Sequence, residues 1–477
     1  MSHFINILIF IFASIFAGCA VVSNARQEQR NVADKTSCDA LCKTNSINLT
    51  NLSLESLVTI ALSNRPSVVS AKLAVEDARL ALKQLASDAP VVSATPWTAA
   101  KSSVSASHSE SSKIADDLDD LRFSTDGSFS GSISLSLLVY DFGRYGASAS
   151  AAAEEVVSAE KSLVDVGFKV FEEVSSAYFT LHEKAALLEV AYTNEFEYSE
   201  HLKRAEDSLA VGEAKQLDVT RARLDLSRAK EATIASSNAV ITAGAEFLRA
   251  MGLDAVHGDF YEVLPPPSDR LGLMRKAFAS TSFSADEAFS FAQTNSPAIA
   301  IARARLRSAS SRVDYAIADL RPSISAGASL KFTDPVWAWS WAVDAAQSLF
   351  QGFRKTTAVE RSVVSMKIAS SNVDEAQQTV SEAIEIALAD RDNSLKARDT
   401  ARTSLRQARE NLDTVKMQYQ LGDVSRIEFT EGVSAFVDAL GSSISAFYGQ
   451  QRAEAQLFSL LGLKPVYSQS DVRGLNE

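Results

Sequence analysis

The sequence predicts a mainly α-helical protein with a small β part, built from two copies of one unit: a helix, a strand pair and a long helical hairpin. Three observations predict it. The chain repeats itself at a fixed offset, two regions alternate between apolar and hydroxyl residues, and two very long stretches carry no proline. Only 10 Pro and 19 Gly in 477 residues agree with this, because both residues interrupt helices.

The repeat is the strongest signal. Leu138-Val139-Tyr140 through Arg144 matches Ser348-Leu349-Phe350 through Arg354. Val211-Gly212 matches Leu421-Gly422, and Met251-Gly252-Leu253 matches Leu461-Gly462-Leu463. Arg144 to Arg354, Gly212 to Gly422 and Gly252 to Gly462 each span 210 positions. Such register over more than a hundred residues implies common ancestry and a common shape. Upstream, Leu52-Ser53-Leu54-Glu55 with Asn64-Arg65-Pro66 matches Phe283-Ser284-Ala285-Asp286 with Asn295-Ser296-Pro297, now 231 positions apart. The first copy is therefore 21 residues longer before Tyr140, and the Ser-rich region 93–127 is expected to be a longer or looser loop.

From the N-terminus, Phe4 to Phe16 is almost wholly apolar. It is too short to span a bilayer and fits the apolar region of an export signal over residues 1–18. Phe16-Ala17-Gly18-Cys19 resembles the lipobox of bacterial lipoproteins, which makes Cys19 the lipidated first residue. Cleavage after Ser23-Asn24-Ala25 is the alternative. An oxidising compartment allows a local disulfide between Cys38 and Cys42; two cysteines without nearby His fall short of a metal site. Residues 19–51 are read as an anchor arm, 52–262 as the first repeat, 263–282 as a linker stiffened by Pro265-Pro266-Pro267, 283–464 as the second repeat and 465–477 as a tail.

Within each repeat, 66–88 and 297–319 have helical composition and stop before Pro90 and Pro322. From Ser128 to Tyr140, Phe129, Ile133, Leu135, Leu137 and Val139 alternate with Ser130, Ser132, Ser134 and Ser136. Ile324 to Phe332 does the same against Ser323, Ser325, Gly327, Ser329 and Lys331. This is strand periodicity with one apolar face. After the Asp334-Pro335 turn, Trp337, Trp339, Trp341 and Val343 share a face. The partner strand in the first half is expected around Trp97 to Ser109. Residues 145–210 and 354–421 then carry no proline. A helix of about 65 residues is roughly 100 Å long, which suggests a coiled coil or helical barrel rather than a compact core.

Four strands cannot close a barrel with an open lumen, and lipid does not tolerate open strand edges. Strands in a membrane must then be sealed by other chains, with the Trp residues as an aromatic girdle and the serines lining water. The formal net charge of −12 repels phosphate backbones and argues against nucleic acid. The five His show no catalytic or metal spacing, and no phosphate-binding or dinucleotide motif is present, so neither an enzyme nor a cofactor is expected.

Val139-Tyr140-Asp141-Phe142-Gly143-Arg144 resembles the strand-to-helix junction of the TolC family of outer-membrane factors, and Val211-Gly212 and Leu421-Gly422 resemble its helical tip turns. The second junction departs from the pattern, with Gln351-Gly352-Phe353. The resemblance covers essentially the mature chain. It implies a homotrimer with a twelve-stranded β-barrel in outer-membrane lipid and a twelve-helix α-barrel in the periplasm. It further implies a passive exit duct of a tripartite efflux or type I secretion system, served by a periplasmic adaptor and an inner-membrane pump or ABC transporter. Tip residues Val211, Gly212, Glu213, Leu421, Gly422 and Asp423 would meet the adaptor. In that family acids six and nine positions after the tip glycine ring the entrance; here these are Glu428 and Glu431, with Asp218 and Arg221 in the first half. Carboxylates at a solvated helix N-terminus, favoured by its dipole, are the competing reading. A lipid-anchored periplasmic coiled-coil scaffold without a pore is the competing function.

Overall fold

A computed structural model describes residues 54–85, 100–113, 124–212, 215–253, 285–333, 336–347, 351–421 and 423–462. Cys19, Cys38, Cys42, Glu213, Gly422, the linker 263–282 and the tail 465–477 lie outside the described residues. The first half runs α1 (Leu54–Asn64), α2 (Pro66–Leu85), β1 (Ala100–Lys113), β2 (Ser124–Tyr140), α3 (Arg144–Ala210) and α4 (Gln216–Met251). The second runs α5 (Ala285–Asn295), α6 (Pro297–Ala318), β3 (Ser323–Thr333), β4 (Val336–Ala346), α7 (Arg354–Leu421) and α8 (Arg426–Leu461).

The duplication holds in packing as well as in order. At the 231 offset, Leu57 and Ala61 correspond to Ala288 and Ala292, and all four are buried. At the 210 offset, Val174 and Met251 correspond to Ile384 and Leu461, all of them fully covered. Pro66 and Pro297 open α2 and α6, where a missing N–H costs no hydrogen bond. Gly252 (φ 74°) and Gly462 (φ 68°) end α4 and α8 in the left-handed region. A Cβ on Gly252 would stand 3.1 Å from the Arg65 backbone, and one on Gly462 would stand 3.1 Å from the Asn295 carbonyl. Each short hairpin helix therefore ends against the kink between the two helices that open its own half.

α3 and α7 are 67 and 68 residues long. α3 lies against α1, α2, α4, α6 and α8, and α7 against α5, α6 and α8. The core is accordingly a series of small clusters between helix pairs. Ala288, Ala292, Ile384, Ala387, Leu457 and Leu461 form one; Ala186, Val190, Ile444, Phe447 and Tyr448 form another. Polar groups join the same layers. Buried Glu183 of α3 accepts from Arg452 (2.5 Å) and Ser445 (3.0 Å) of α8. Arg398 of α7 donates to Gln450 (2.6 Å), which in turn donates to Glu454 (2.9 Å).

The strands form one antiparallel sheet in the order β1-β2-β3-β4. Two expectations need correction. The first partner strand spans Ala100–Lys113 rather than 97–109, and β2 begins at Ser124. Much of the Ser-rich region 93–127 is therefore strand and not loose loop. Ladder pairing sets these bounds: a run of Ser with few apolar residues has little strand propensity of its own, but it pairs with β2 from Ala100↔Leu137 to Lys113↔Ser124. Among the described residues no helix is long and apolar enough to cross a membrane.

Candidate functional site

The register turns alternating strands into a mainly apolar face and a mainly small, hydroxyl-rich face across β2, β3 and β4. Val104, Ile133, Leu330 and Trp339 stand opposite one another in a row that crosses all four strands. The next rows of that face run through Leu135, Ala328 and Trp341, and through Leu137, Ala326 and Val343. The intervening row is Ser103, Ser134, Ser329 and Ser340, with the last two hydroxyls 2.8 Å apart. Trp337, Trp339 and Trp341 are 62%, 76% and 72% exposed. Three tryptophans in one strand that find so little cover in their own chain call for an apolar medium outside it. β1 and β4 are the sheet's two edges, each with one side of its backbone unpaired by another described strand.

Both strand-to-helix junctions use two successive left-handed residues: Phe142 (φ 55°) and Gly143 (φ 94°), then Gly352 (φ 57°) and Phe353 (φ 62°). The residue order departs from the first pattern, but the bend does not. Buried Asp141 stabilises the first, accepting from the Gly143 N–H (3.2 Å) and the Tyr145 N–H (2.5 Å). Asp319, after α6, ties the two together: Arg144 and Lys355 each approach its carboxylate at 3.3 Å. A cavity of about 520 Å³ lies here, lined by Leu138, Asp141, Arg144, Tyr145, Arg312 and Tyr315. Its two arginines are paired with Asp319 and Glu155.

At the other end, Gly212 (φ 82°) turns α3 toward α4. Val211 and Leu421 are 72% and 71% exposed at the two tips, and Asp423 is exposed as well. Asp218 and Glu428 occupy the same place in their helices. The Lys215 N–H donates to Asp218 (3.2 Å), while the Ser425 N–H and hydroxyl donate to one oxygen of Glu428 (2.8 and 3.0 Å). Glu428 thus closes a capping box with Ser425, whose hydroxyl accepts from the Glu428 N–H (3.3 Å), whereas Asp218 accepts from the Lys215 N–H with no acceptor on the lysine side chain to return the bond. Glu431 lies three residues on from Glu428, and both are exposed.

Sequence reasoning missed a contact behind the tips. Buried His201 of α3 stacks on Phe429 of α8, with centroids 5.7 Å apart, and Phe429 stacks on Tyr419 of α7 at 4.8 Å. It joins the ends of both hairpins, and no local pattern announces it. Further along α8, burial pushes the Glu454 carboxyl up, against the Gln450 hydrogen bond and the Arg391 and Arg398 charges that lower it. Burial, with Tyr178 and Glu183 nearby, pushes Tyr448 up to about 12.

The profile of the outer membrane efflux protein family matches residues 57–253 and 289–463. No curated protein sequence matches the chain. Among solved structures, the CmeC outer membrane channel of Campylobacter jejuni is 16% identical with a TM-score of 0.72, covering 91% of this chain and 94% of its own. The open-state MtrE outer membrane channel of Neisseria gonorrhoeae is 17% identical with a TM-score of 0.70, covering 88% and 93%. A membrane protein of Pseudomonas aeruginosa is 20% identical with a TM-score of 0.70, covering 86% and 93%.

Proposed function

This chain belongs to the outer membrane efflux protein family, and on that premise we propose that it is the passive exit duct of a tripartite efflux or type I secretion system. Three copies pool their strands into one closed twelve-stranded barrel in the outer membrane, and their long helices continue it as a twelve-helix tunnel into the periplasm. The observation that carries this reading is the four-stranded sheet with one mainly apolar face and two edges that no other described strand pairs. An unpaired backbone group in hydrocarbon costs several kcal/mol, so the edges need strands from other copies. The serine face then lines water.

Exposed apolar side chains along the helices support assembly too. Leu217, Leu224, Ile234 and Ile241 of α4, and Val364, Ile368 and Met417 of α7, are about half to two-thirds exposed. Lipid on Cys19 anchors the N-terminal arm. The tips at Val211-Gly212-Glu213 and Leu421-Gly422-Asp423 receive a periplasmic adaptor, and an inner-membrane pump or ABC transporter supplies both cargo and energy. Asp218, Glu428 and Glu431 together give the periplasmic entrance a negative ring.

Single-channel recording in planar bilayers tests this reading. The purified protein is expected to give long-lived, cation-preferring steps that divalent cations block, and a Glu428→Gln, Glu431→Gln double variant should lose most of both properties. Unchanged selectivity and block would remove the acids from the pore, and the absence of any conductance would sink the duct. A pore-free scaffold leaves the tryptophan face without a medium. A Cys19→Ser variant on an ordinary cleavable signal separates the two, since only an inserted barrel resists carbonate extraction.

A further inference from the structure

The two hairpins of the sheet differ in length. β3 and β4 have 11 residues each, which matches the roughly 9–11 residues a tilted strand needs to cross the hydrocarbon. β1 and β2 have 14 and 17. Pairing between β2 and β3 stops at Ser130↔Thr333, and β4 begins level with that rung, at Thr333↔Val336. β1 and β2 continue together for six more rungs, from His108↔Phe129 to Lys113↔Ser124. Two residues join Thr333 to Val336, whereas 22 join Ser107 to Ser130. This difference is nearly all of the 21 residues by which the first copy exceeds the second. The extra length of the first half is therefore a ribbon that stands beyond the rest of the sheet.

Composition and topology place the ribbon outside the hydrocarbon. Its strands read His-Ser-Glu-Ser-Ser-Lys and Ser-Thr-Asp-Gly-Ser-Phe, and Phe129, the one large apolar residue among them, stands at its base. The other end of β2 leads into α3, so the ribbon projects on the side away from the long helices. No other described strand pairs with it. A lone two-stranded ribbon is marginal in water and needs further packing. Six rungs of about 3.4 Å give it a reach of about 20 Å. Twelve strands spaced about 4.8 Å apart and tilted about 40° enclose a barrel of about 12 Å radius. A ribbon longer than that radius can reach the axis. Gly131, paired with Ala106 and Phe332 just below the last supported rung, gives β2 a place to bend.

We infer that the ribbons of three copies fold over the outer mouth of the barrel and pack on one another near the axis, forming an outer constriction separate from the helical tips. This rests on the trimeric duct proposed above and adds a second narrow point to it. The partners are further copies of the same ribbon, because closure of the barrel brings them within one ribbon length of each other. A polar segment gains nothing by lying back into lipid. The constriction belongs to the first half alone, since the second hairpin turns at Asp334-Pro335 with no ribbon to contribute.

Cysteine cross-linking with single-channel recording tests the constriction in the full-length protein. In a Cys38→Ser, Cys42→Ser background, Ser111→Cys or Thr125→Cys should give disulfide-linked dimers on oxidation. Ser134→Cys, in the barrel wall, should give none. Linkage should lower the conductance, and a reductant should restore it. A second variant joins Ser107 to Ser130 through Asn-Gly, a two-residue hairpin turn that removes the ribbon. It should conduct more than the parent. Conducting channels that stay unlinked at both positions, or whose conductance ignores linkage and ribbon removal alike, overturn the constriction and leave the duct standing. Preparations that conduct in no form overturn the duct itself and the constriction with it.

Discussion

At the first strand-to-helix junction Phe142 precedes Gly143, and at the second Gly352 precedes Phe353, yet all four residues hold positive φ. The equivalent positions therefore share a backbone without sharing a residue. Glycine enters this region freely, and a side-chain-bearing residue does so at a cost of roughly 1–2 kcal/mol. Each half accepts that cost once, at a different position. The supports differ as well: Asp141 caps the first turn, and Gln351 stands at its counterpart in the second. The sheet and the long helix on either side impose the bend; the local residues make it more or less comfortable.

The largest expected effect asks whether the halves are equally dependent on a shared feature. Gly252→Val and Gly462→Val each force a β-branched residue into the left-handed region against backbone 3.1 Å away. Each should cost about 3 kcal/mol, read as a matching drop in the thermal midpoint of helical circular dichroism. A large loss in one half only would break the equivalence. Asp141→Ala comes next, at about 1–2 kcal/mol for a lost cap at a helix start, read in the same thermal midpoint. No loss would show that the Asp141 carboxylate does not hold the first turn. Smaller still, Phe353→Gly should stabilise by up to about 1 kcal/mol, because Phe353 is 73% exposed and strained. Phe142→Gly should not, because Phe142 packs edge-on against Tyr140 at 4.6 Å. Equal signs for the two would remove the distinction.

The smallest effect is pH-dependent. Glu454 stands where the first half has Gly244, and burial raises its carboxyl above the usual range. A raised folded value means the fold binds the proton more tightly than the unfolded chain. The stability from this group is full below the unfolded carboxylate value and is lost as pH rises through the raised one. Glu454→Gln should therefore raise the thermal midpoint at pH 8 and change it little at pH 4. A larger gain at pH 4 would contradict the burial argument.

Much of this fold was legible because the chain states it twice. The landmarks Arg144, Gly212 and Gly252 and their partners bracket both long helices, and the Ser alternation located β2 and β3. β1 was misplaced by a few residues because its Ser-rich run has no apolar rhythm and takes its bounds from pairing with β2. At the tips, Ser425-Arg426-Ile427-Glu428 spells a capping box that local reading could have found, since the motif needs only a hydroxyl and an acid three residues apart. The His201–Tyr419–Phe429 stack was not legible, because only the antiparallel return of the second hairpin brings residues so far apart in sequence together.

The proposed duct depends on copies of this chain sealing one another's strand edges. The native mass of the full-length protein released from lipid nanodiscs tests that dependence most directly. Three chains per particle is the expected result; particles of one chain, inserted and stable in the same lipid, would contradict it.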